Sequence, residues 1–431
     1  MSGLRIAFIC QWYPPEPVMQ PVWIVDALRK RGALIEVHTG VPNYPTGIVS
    51  DGYRSWRRQV EIIDGVTVRR TPLYPSHDSS SVRRMLTYLS WAVSSAAFGQ
   101  RHLRRADVAL IYSSPATAAV PAMVAKSLFG VPYVLLVQDV WPDSIFSAGF
   151  LKGRWSRRLR AVVDIFVSAT YRGASTVVVT SAGMVDLLVA RGVSATKIKL
   201  AHNWVAPVRS AAGPEPMHLR ETLGLSSDRF LVMYAGNHGA AQALESAVQG
   251  FAEIPPEEEC HLVLVGEGVE KRSLIRLAEQ RCPDRVHFLP PQPAKEMAAL
   301  MAQADAQLVS LASGSVFART TPSKLQSILA AGQPVLVCAD GDAARLVRDA
   351  EAGVCVPSED ARGLATAVQR LRRLTSSELD AMGAHGQDYY ERTMSESVGA
   401  ASLMQALHDA VRTHHSDRAP TVDEVSEGAN R

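Results

Sequence analysis

A lysine occupies the first turn of a helix that opens at Thr320-Thr321-Pro322-Ser323-Lys324-Leu325 and closes at Ala331-Gly332-Gln333-Pro334. Proline and hydroxyl residues at such a start form a capping arrangement, which would suffice to explain them. The lysine is less readily explained, because the positive end of a helix disfavours a cation. It makes sense if an anion neutralises both charges, and Arg319 would supply a second, weaker cation. Upstream, the apolar run FLVMYAG (230–236) meets Asn237-His238-Gly239-Ala240-Ala241-Gln242 and then a helical pattern. Small residues there let backbone N–H groups approach a phosphate at a helix N-terminus; glycine required for turn geometry alone is the other reading. Gly266-Glu267-Gly268 follows the next apolar run but lacks the third glycine of a dinucleotide fingerprint, and none opens the first strand, which disfavours nicotinamide enzymes. Asp340-Gly341-Asp342 is a possible metal pair, but it follows a strand and opens a helix, so capping is the better reading.

The elements that position these residues alternate. Strand patterns lie at 4–10, 33–39, 61–71, 107–113, 133–138, 176–181 and 197–203, then at 230–236, 261–268, 286–290, 306–312, 334–340 and 353–358. Several are apolar almost throughout, as parallel strands buried on both faces must be. Helical patterns such as PVWIVDALRKRG, TAAVPAMVAKSLFG and SAGMVDLLVARG separate them. The expected fold is α/β: two Rossmann-like domains, each an open parallel sheet with helices on both faces, enclosing a cleft between them. The first spans 1–205. A Pro, Ala, Gly and Ser-rich linker covers 206–228, and the second domain runs over 229–394. After Asp360 two helical runs follow, and the final helix (395–413) is expected to pack back on the first domain. Residues 414–431 lose the apolar period and read as a solvated tail.

Composition narrows the chemistry. The 431 residues are 47% hydrophobic and 20% charged, which is ordinary globular usage. No basic, apolar and cleavage regions in series open the chain, so a cytoplasmic location is expected. The five cysteines (Cys10, Cys260, Cys282, Cys338, Cys355) are dispersed without a C-x-x-C pair, which implies reduced thiols and no zinc site. Charge is uneven: residues 1–215 hold 25 Lys and Arg against 13 Asp and Glu, and the remainder holds 20 against 29. One half is basic and the other acidic, so the halves should meet different partners. Residues 83–105 place an apolar stretch (Met85 to Gly99) between arginine pairs. It is shorter than the roughly 20 residues a membrane span needs. A buried domain helix and an interfacial helix on anionic lipid both fit, and Lys152, Arg154, Arg157, Arg158 and Arg160 add to the basic surroundings. No nucleic-acid recognition module is visible.

The ordered set Gly236-Asn237, Gly266-Glu267-Gly268, Phe288-Leu289, Pro322-Ser323-Lys324 and Ala330-Ala331-Gly332-Gln333-Pro334 resembles the donor half of glycosyltransferase family 4. In the first half, Tyr13-Pro14-Pro15-Glu16-Pro17, Val41-Pro42-Asn43-Tyr44-Pro45-Thr46-Gly47 and Gln138-Asp139-Val140-Trp141-Pro142-Asp143 resemble a narrower bacterial branch. That branch serves colanic acid and O-antigen assembly and includes L-fucosamine and fucosyl transferases. The resemblance covers residues 4 to 410. It implies a GT-B fold, anomeric retention, a nucleotide diphosphate-sugar donor and no metal or other cofactor.

By this resemblance the donor would be held by Asn237, Gly239, Gln242, Gly266, Glu267, Phe288, Leu289, Arg319, Ser323 and Lys324. Glu16, Asn43, Tyr44 and Trp141 would face the acceptor, with proline-set loop architecture the alternative for the first three and packing for Trp141. Asp139, after a strand, is the candidate polar group beside the reacting carbon, where a carboxylate orients an acceptor or stabilises oxocarbenium character; a turn cap is its plainer role. Lys324 and fixed amides would stabilise the departing diphosphate in place of a metal.

The chain also departs from the family. Arg319 and Ser327 stand where two glutamates are usual, Asn237 and Gln242 replace an arginine and a lysine, Val18-Met19-Gln20 replaces a glycine pair, and Gln138 replaces a histidine. These losses leave ribose recognition open. They also keep a catalytically degenerate scaffold, or another GT-B enzyme such as a sugar-nucleotide epimerase, as the alternative. The expected acceptor is a lipid-linked or growing cell-surface glycan, met by a peripheral enzyme at the inner face of the plasma membrane. The narrow expectation for the donor is a UDP-N-acetyl sugar such as UDP-L-FucNAc, with GDP-fucose behind it.

Overall fold

The computed structural model describes residues 3–76, 81–141, 143, 156–205, 217–293 and 295–416. Pro142, Lys152, Arg154, residues 206–216 of the expected linker and the tail from 417 lie outside them. The described residues form two compact units. One contains those of Met1–Thr180, Val185–Ala201 and the chain from Ala400; the other contains Ser181–Met184 and His202–Gly399.

The first unit is built on β1 (Arg5–Ile9), β2 (Leu34–Gly40), β3 (Gln59–Ile63), β4 (Val66–Thr71), β5 (Val108–Ser113), β6 (Tyr133–Val137), β7 (Thr176–Val179) and β8 (Ile198–Leu200), in the order β3-β4-β2-β1-β5-β6-β7-β8. Strands β5, β6 and β7 are buried along their whole length, which accounts for their unbroken apolar sequence. The pattern at 61–71, expected as a single strand, is a hairpin: β3 and β4 pair antiparallel across Asp64-Gly65. Both turn residues have positive φ, 49° and 75°, and an Asp-Gly turn of that hand reverses a strand without splaying it. The other strand pairs in this sheet are parallel.

The second unit carries β9 (Phe230–Ala235), β10 (Cys260–Val265), β11 (Val286–Leu289), β12 (Ala306–Ser310), β13 (Val335–Cys338) and β14 (Gly353–Val356), all parallel, in the order β11-β10-β9-β12-β13-β14. Alternate residues enter two separate cores. Leu231, Met233, Val263, Val265 and Val309 fill one, and Val232, Tyr234, Leu262, Leu264 and Leu308 fill the other. Helices therefore cover both faces of the sheet, and the period of two disappears from the sequence because both registers are apolar.

Three boundaries differ from expectation. Residues 217–228 are part of the second unit rather than linker: Leu219 is fully buried in its core and its N–H donates to Gln303 Oε1 at 2.7 Å. Three helices, not two, follow Asp360: Ala361–Arg372, Ser376–Thr393 and Glu396–Ser416. Asp360 caps the first by accepting from Gly363 N–H at 2.8 Å. Thr375 and Glu378 form a capping box that starts the second as a separate helix. The last helix runs through 414–416, assigned to the tail on sequence, and Asp409 on it pairs with Lys199.

Candidate functional site

In both sheets the strand order reverses beside the first strand of the unit. The chain leaves β1 toward β2 and later returns to place β5 on its other side; in the second unit it leaves β9 toward β10 and returns with β12. Loops at the carboxyl ends of strands flanking such a reversal part from one another and leave a crevice, where open α/β sheets take ligands.

In the second unit that crevice lies at the end of β9. Gly236 (φ 147°) turns the chain out of the strand, and the loop reaches the helix Leu244–Glu253 through a short 3₁₀ turn at Ala240–Gln242. The glycines after β10 exist for close approach. A Cβ on Gly266 would stand 1.9 Å from the Gly236 carbonyl oxygen, and one on Gly268 would stand 2.2 Å from the His238 carbonyl oxygen. The two loops are laced by His238 N–H to the Glu267 carbonyl at 2.8 Å and Glu270 N–H to the His238 carbonyl at 3.0 Å. Asn237 Nδ2 donates to Gln242 Oε1 at 3.3 Å, which ties off the first loop. Glu267 is exposed and pairs with Lys271 at 2.6 Å.

Lys324 enters this loop cluster from the helix Ser323–Ala330. Among the described residues no side chain caps that helix: Pro322 holds the cap position, and Thr320 Oγ1 donates instead to the Val316 carbonyl. The expected hydroxyl cap is absent, which leaves the helix's positive end without a side-chain acceptor. Lys324 Nζ is buried, makes no hydrogen bond among the described residues, and lies 3.1 Å from where a Cβ on Gly236 would be. Burial lowers its pKa to about 7. An unpaired ammonium in that position is poised for an anion, because an incoming negative charge would both repay its lost hydration and satisfy the helix end.

Phe288 and Leu289 end β11 beside these loops. Leu289 is buried, and its carbonyl accepts from Gly266 N–H at 3.1 Å. Ser323 is exposed at the helix start. Arg319 has different neighbours: its carbonyl accepts from Ser181 Oγ at 2.7 Å and its Cγ lies against Gly183. The aspartates of the D-x-D segment are engaged in local structure. Asp342 accepts from Gly183 N–H at 2.7 Å and pairs with Arg345, and Asp340 accepts from Ser358 N–H at 3.3 Å.

The sequence gives no warning of His238. It is fully buried and packs between Tyr234 and Phe288, with ring centroids 6.0 and 6.4 Å away. Apart from a weak contact with the Val265 backbone, its ring nitrogens have no partner among the described residues. Desolvation lowers its pKa.

The first unit gathers its candidates at the ends of β1, β2, β5 and β6. Asp139 follows β6 and accepts from Ser114 Oγ, just past β5, at 2.7 Å. Its side chain reaches solvent, yet protein crowds it closely enough that desolvation raises its pKa against the lowering effect of the Ser114 bond. Glu16 is buried, and its two oxygens accept three backbone N–H bonds, from Tyr13 at 3.1 Å and from Asn43 and Tyr44 at 2.9 Å each. It is a staple between two loops rather than a group presented to a ligand. Asn43 is buried and donates to the Val41 carbonyl at 2.9 Å.

Aromatic rings connect the remaining candidates. Tyr44 lies 5.1 Å from Trp12, Trp12 lies 6.2 Å from Tyr88, and Tyr88 lies 6.2 Å from Trp141. Trp141 is buried, and its carbonyl accepts from Arg191, so it backs Tyr88 rather than offering an open face. Trp12 and Tyr88 were not visible as site residues from sequence. Gln11, at the end of β1, is buried with both amide atoms unpartnered among the described residues.

Two doubly wound α/β sheets in one chain, parallel apart from the β3–β4 hairpin, constitute the GT-B architecture, and its domain matches make the chain a GT-B glycosyltransferase. Its relatives agree. Residues 21–204 match the glycosyl transferase 4-like domain, and residues 229–373 match glycosyl transferases group 1. A putative colanic acid biosynthesis glycosyl transferase, WcaI of Escherichia coli K12, is 27% identical over 86% of this chain and 91% of its own length. The probable glycosyltransferase WbjE of Pseudomonas aeruginosa is 26% identical over 68% of this chain and 72% of its own. The crystal structure of Anabaena HepE in complex with UDP superposes with a TM-score of 0.68 at 15% identity, over 94% of this chain and 100% of that one.

Proposed function

We propose that the chain is a retaining glycosyltransferase of glycan assembly that draws on a nucleoside diphosphate-sugar held by the second unit and an acceptor held by the first. The observation carrying this reading is the unpaired, buried ammonium of Lys324 at the glycine loops. In the proposed step the anomeric carbon–oxygen bond breaks with its electron pair leaving on the diphosphate. The acceptor hydroxyl oxygen bonds on the same face, and its proton passes to the departing diphosphate oxygen. Lys324 and the loop amides stabilise the charge that develops there, the part a metal plays elsewhere. Asp139 orients the acceptor and offsets positive charge on the sugar ring.

The donor we favour is a UDP-N-acetyl sugar such as UDP-L-FucNAc. The structural relative solved with UDP supports the base, and the first-half motifs shared with L-fucosamine transferases support the sugar. The acceptor we favour is a lipid-linked or growing cell-surface glycan, in keeping with a relative named for colanic acid biosynthesis. Placement at the inner face of the plasma membrane draws on the basic first half and on exposed apolar side chains of its helices. Val82, Leu86, Leu89 and Val93 are 47–67% exposed on the helix Ser81–Leu103, and Val162 and Ile165 exceed 60% on Ser156–Gly173. The helix Val120–Phe129, with exposed Leu128, packs against both. No helix among the described residues is long and apolar enough to cross a membrane.

Lys324→Ala tests the proposal. Turnover with a panel of UDP-, GDP- and dTDP-sugars is expected to fall at least a hundredfold while the circular dichroism and melting profile persist. An unchanged rate in a folded variant would overturn the assignment.

A further inference from the structure

Lys324 Nζ stands 3.7 Å from the centroid of the Tyr234 ring, near the closest approach a cation makes to an aromatic face. The same tyrosine donates from its hydroxyl to the Asn237 carbonyl at 2.7 Å. One side chain thus touches both the lysine and the first glycine loop. The sequence hides this, because Tyr234 lies in an apolar strand and reads as core.

We propose that Tyr234 is a positioning residue of the donor site: its ring carries the Lys324 ammonium at the level of the loop amides, and its hydroxyl fixes the Asn237 carbonyl of that loop. The physical need is specific. A buried ammonium without a hydrogen-bond acceptor loses its proton or swings toward water. The ring face supplies negative potential to the ammonium without an ion pair that a ligand would have to break, and so offsets part of the burial that lowers its pKa. An incoming diphosphate then meets a lysine already in place, and the hydroxyl bond keeps the Gly236–Gln242 turn in register with it. Burial is what lowers the Lys324 pKa. His238 is the titratable ring that feels its charge, with Lys271 and Glu267 acting on His238 in turn. Desolvation lowers the His238 pKa, and the ionisations of the probe are common to every variant, so a difference in pH profile between variants reports the lysine.

This rests on the reading of Lys324 as the diphosphate group, and the experiment separates the two. Inorganic pyrophosphate serves as a probe independent of base and sugar, its affinity measured from pH 6 to 9.5 on full-length protein. Lys324→Ala is expected to lose binding at least thirtyfold; wild-type affinity in that variant would overturn the diphosphate reading and this proposal with it. Tyr234→Phe and Tyr234→pentafluorophenylalanine both keep a six-membered aromatic ring in the core, the fluorinated one somewhat larger, and fluorination reverses the charge pattern of the ring; unchanged circular dichroism and melting of both variants exclude a packing effect. The phenylalanine variant is expected to keep the alkaline fall in affinity within 0.2 pH units of wild type. The fluorinated one is expected to move it down by at least half a unit and to bind about tenfold more weakly at pH 7.5. Coincident profiles for the two variants, with Lys324→Ala inactive in binding, would overturn the ring's role while leaving the diphosphate reading intact. For the hydroxyl, amide hydrogen exchange across residues 236–242 should accelerate in Tyr234→Phe; unchanged exchange would overturn that half.

Discussion

The Ser114 hydroxyl donates to Asp139 Oδ2 at 2.7 Å, joining the ends of β5 and β6 where the first sheet reverses its order. A carboxylate crowded by protein is costly to ionise, and one good donor offsets part of that cost. The Ser114 bond is the single influence that lowers the Asp139 pKa, against desolvation that raises it.

Asp139→Asn is therefore expected to lower kcat at least a hundredfold with little effect on donor binding, since the proposed donor elements lie in the second unit. Ser114→Ala should act through protonation. A neutral hydrogen bond contributes about 1 kcal/mol, so the acid limb of the pH–rate profile should move up by up to about one unit. A limb that stays in place in Ser114→Ala would remove Asp139 from the reaction.

Glu16 makes a different prediction. Burial pushes its carboxyl up to about 7, above the ordinary 4.5, against the pull of three amide N–H donors. A raised folded value means the contribution to stability is complete below pH 4.5 and is lost as pH rises through 7. Glu16→Gln abolishes that slope, and it also turns an NH₂ toward at least one backbone N–H. Urea unfolding at pH 8 should show a cost of about 1–3 kcal/mol. Hydrogen exchange should quicken around Tyr13 and in residues 41–47, the two segments the carboxylate joins.

Much of this architecture is legible in the chain because strands buried on both faces must be apolar in both registers, as β5, β6 and β9 are. The β3–β4 hairpin is not, because Asp64-Gly65 sits inside an otherwise continuous strand pattern and only the backbone reveals the turn. Lys324 stands out in sequence because a cation opposes the helix end that carries it. Tyr234 and His238 do not. Each matters through a neighbour distant along the chain, and tyrosine in a strand and histidine in a loop are ordinary in type. Glu16 was legible as a carboxylate among prolines, but its use as a staple depends on three amides from two loops converging on it.

The His261–His287 pair on β10 and β11 is expected to make the fold less stable in acid. Their rings stack with centroids 5.3 Å apart, and Nδ1 of His261 lies 3.1 Å from Nε2 of His287. Such a hydrogen bond needs one neutral acceptor nitrogen. Desolvation, His287 and Arg229 bring the His261 pKa down to about 4, and His287 is also lowered. With folded values below the unfolded 6.5, the stabilisation is present above pH 6.5 and lost as pH falls toward 4. A loss of about 2–3 kcal/mol over that window is expected from His261. His261→Gln should flatten it, measured by urea unfolding at pH 7.5 and pH 5; equal pH sensitivity in variant and wild type would place the acid response elsewhere.

The exposed stripe on Ser81–Leu103 carries the last prediction. Val82, Leu86, Leu89 and Val93 recur at spacings of four, three and four, which aligns them along one side of the helix, while Trp91, Ala92 and Ser95 are buried on the other. The inner side of this helix is domain core, and its outer side is apolar and open to solvent. Burying an exposed leucine or valine in lipid is worth about 1.5–3 kcal/mol. Leu86→Ser combined with Val93→Ser should therefore weaken association with phosphatidylglycerol-containing vesicles at least tenfold. The melting temperature should barely change, because neither side chain is in the core. Raising salt from 50 to 500 mM should weaken the wild type as well, through screening of the basic residues of this half. Vesicle binding that the double variant leaves unaltered would mean that lipid does not cover this side of the helix.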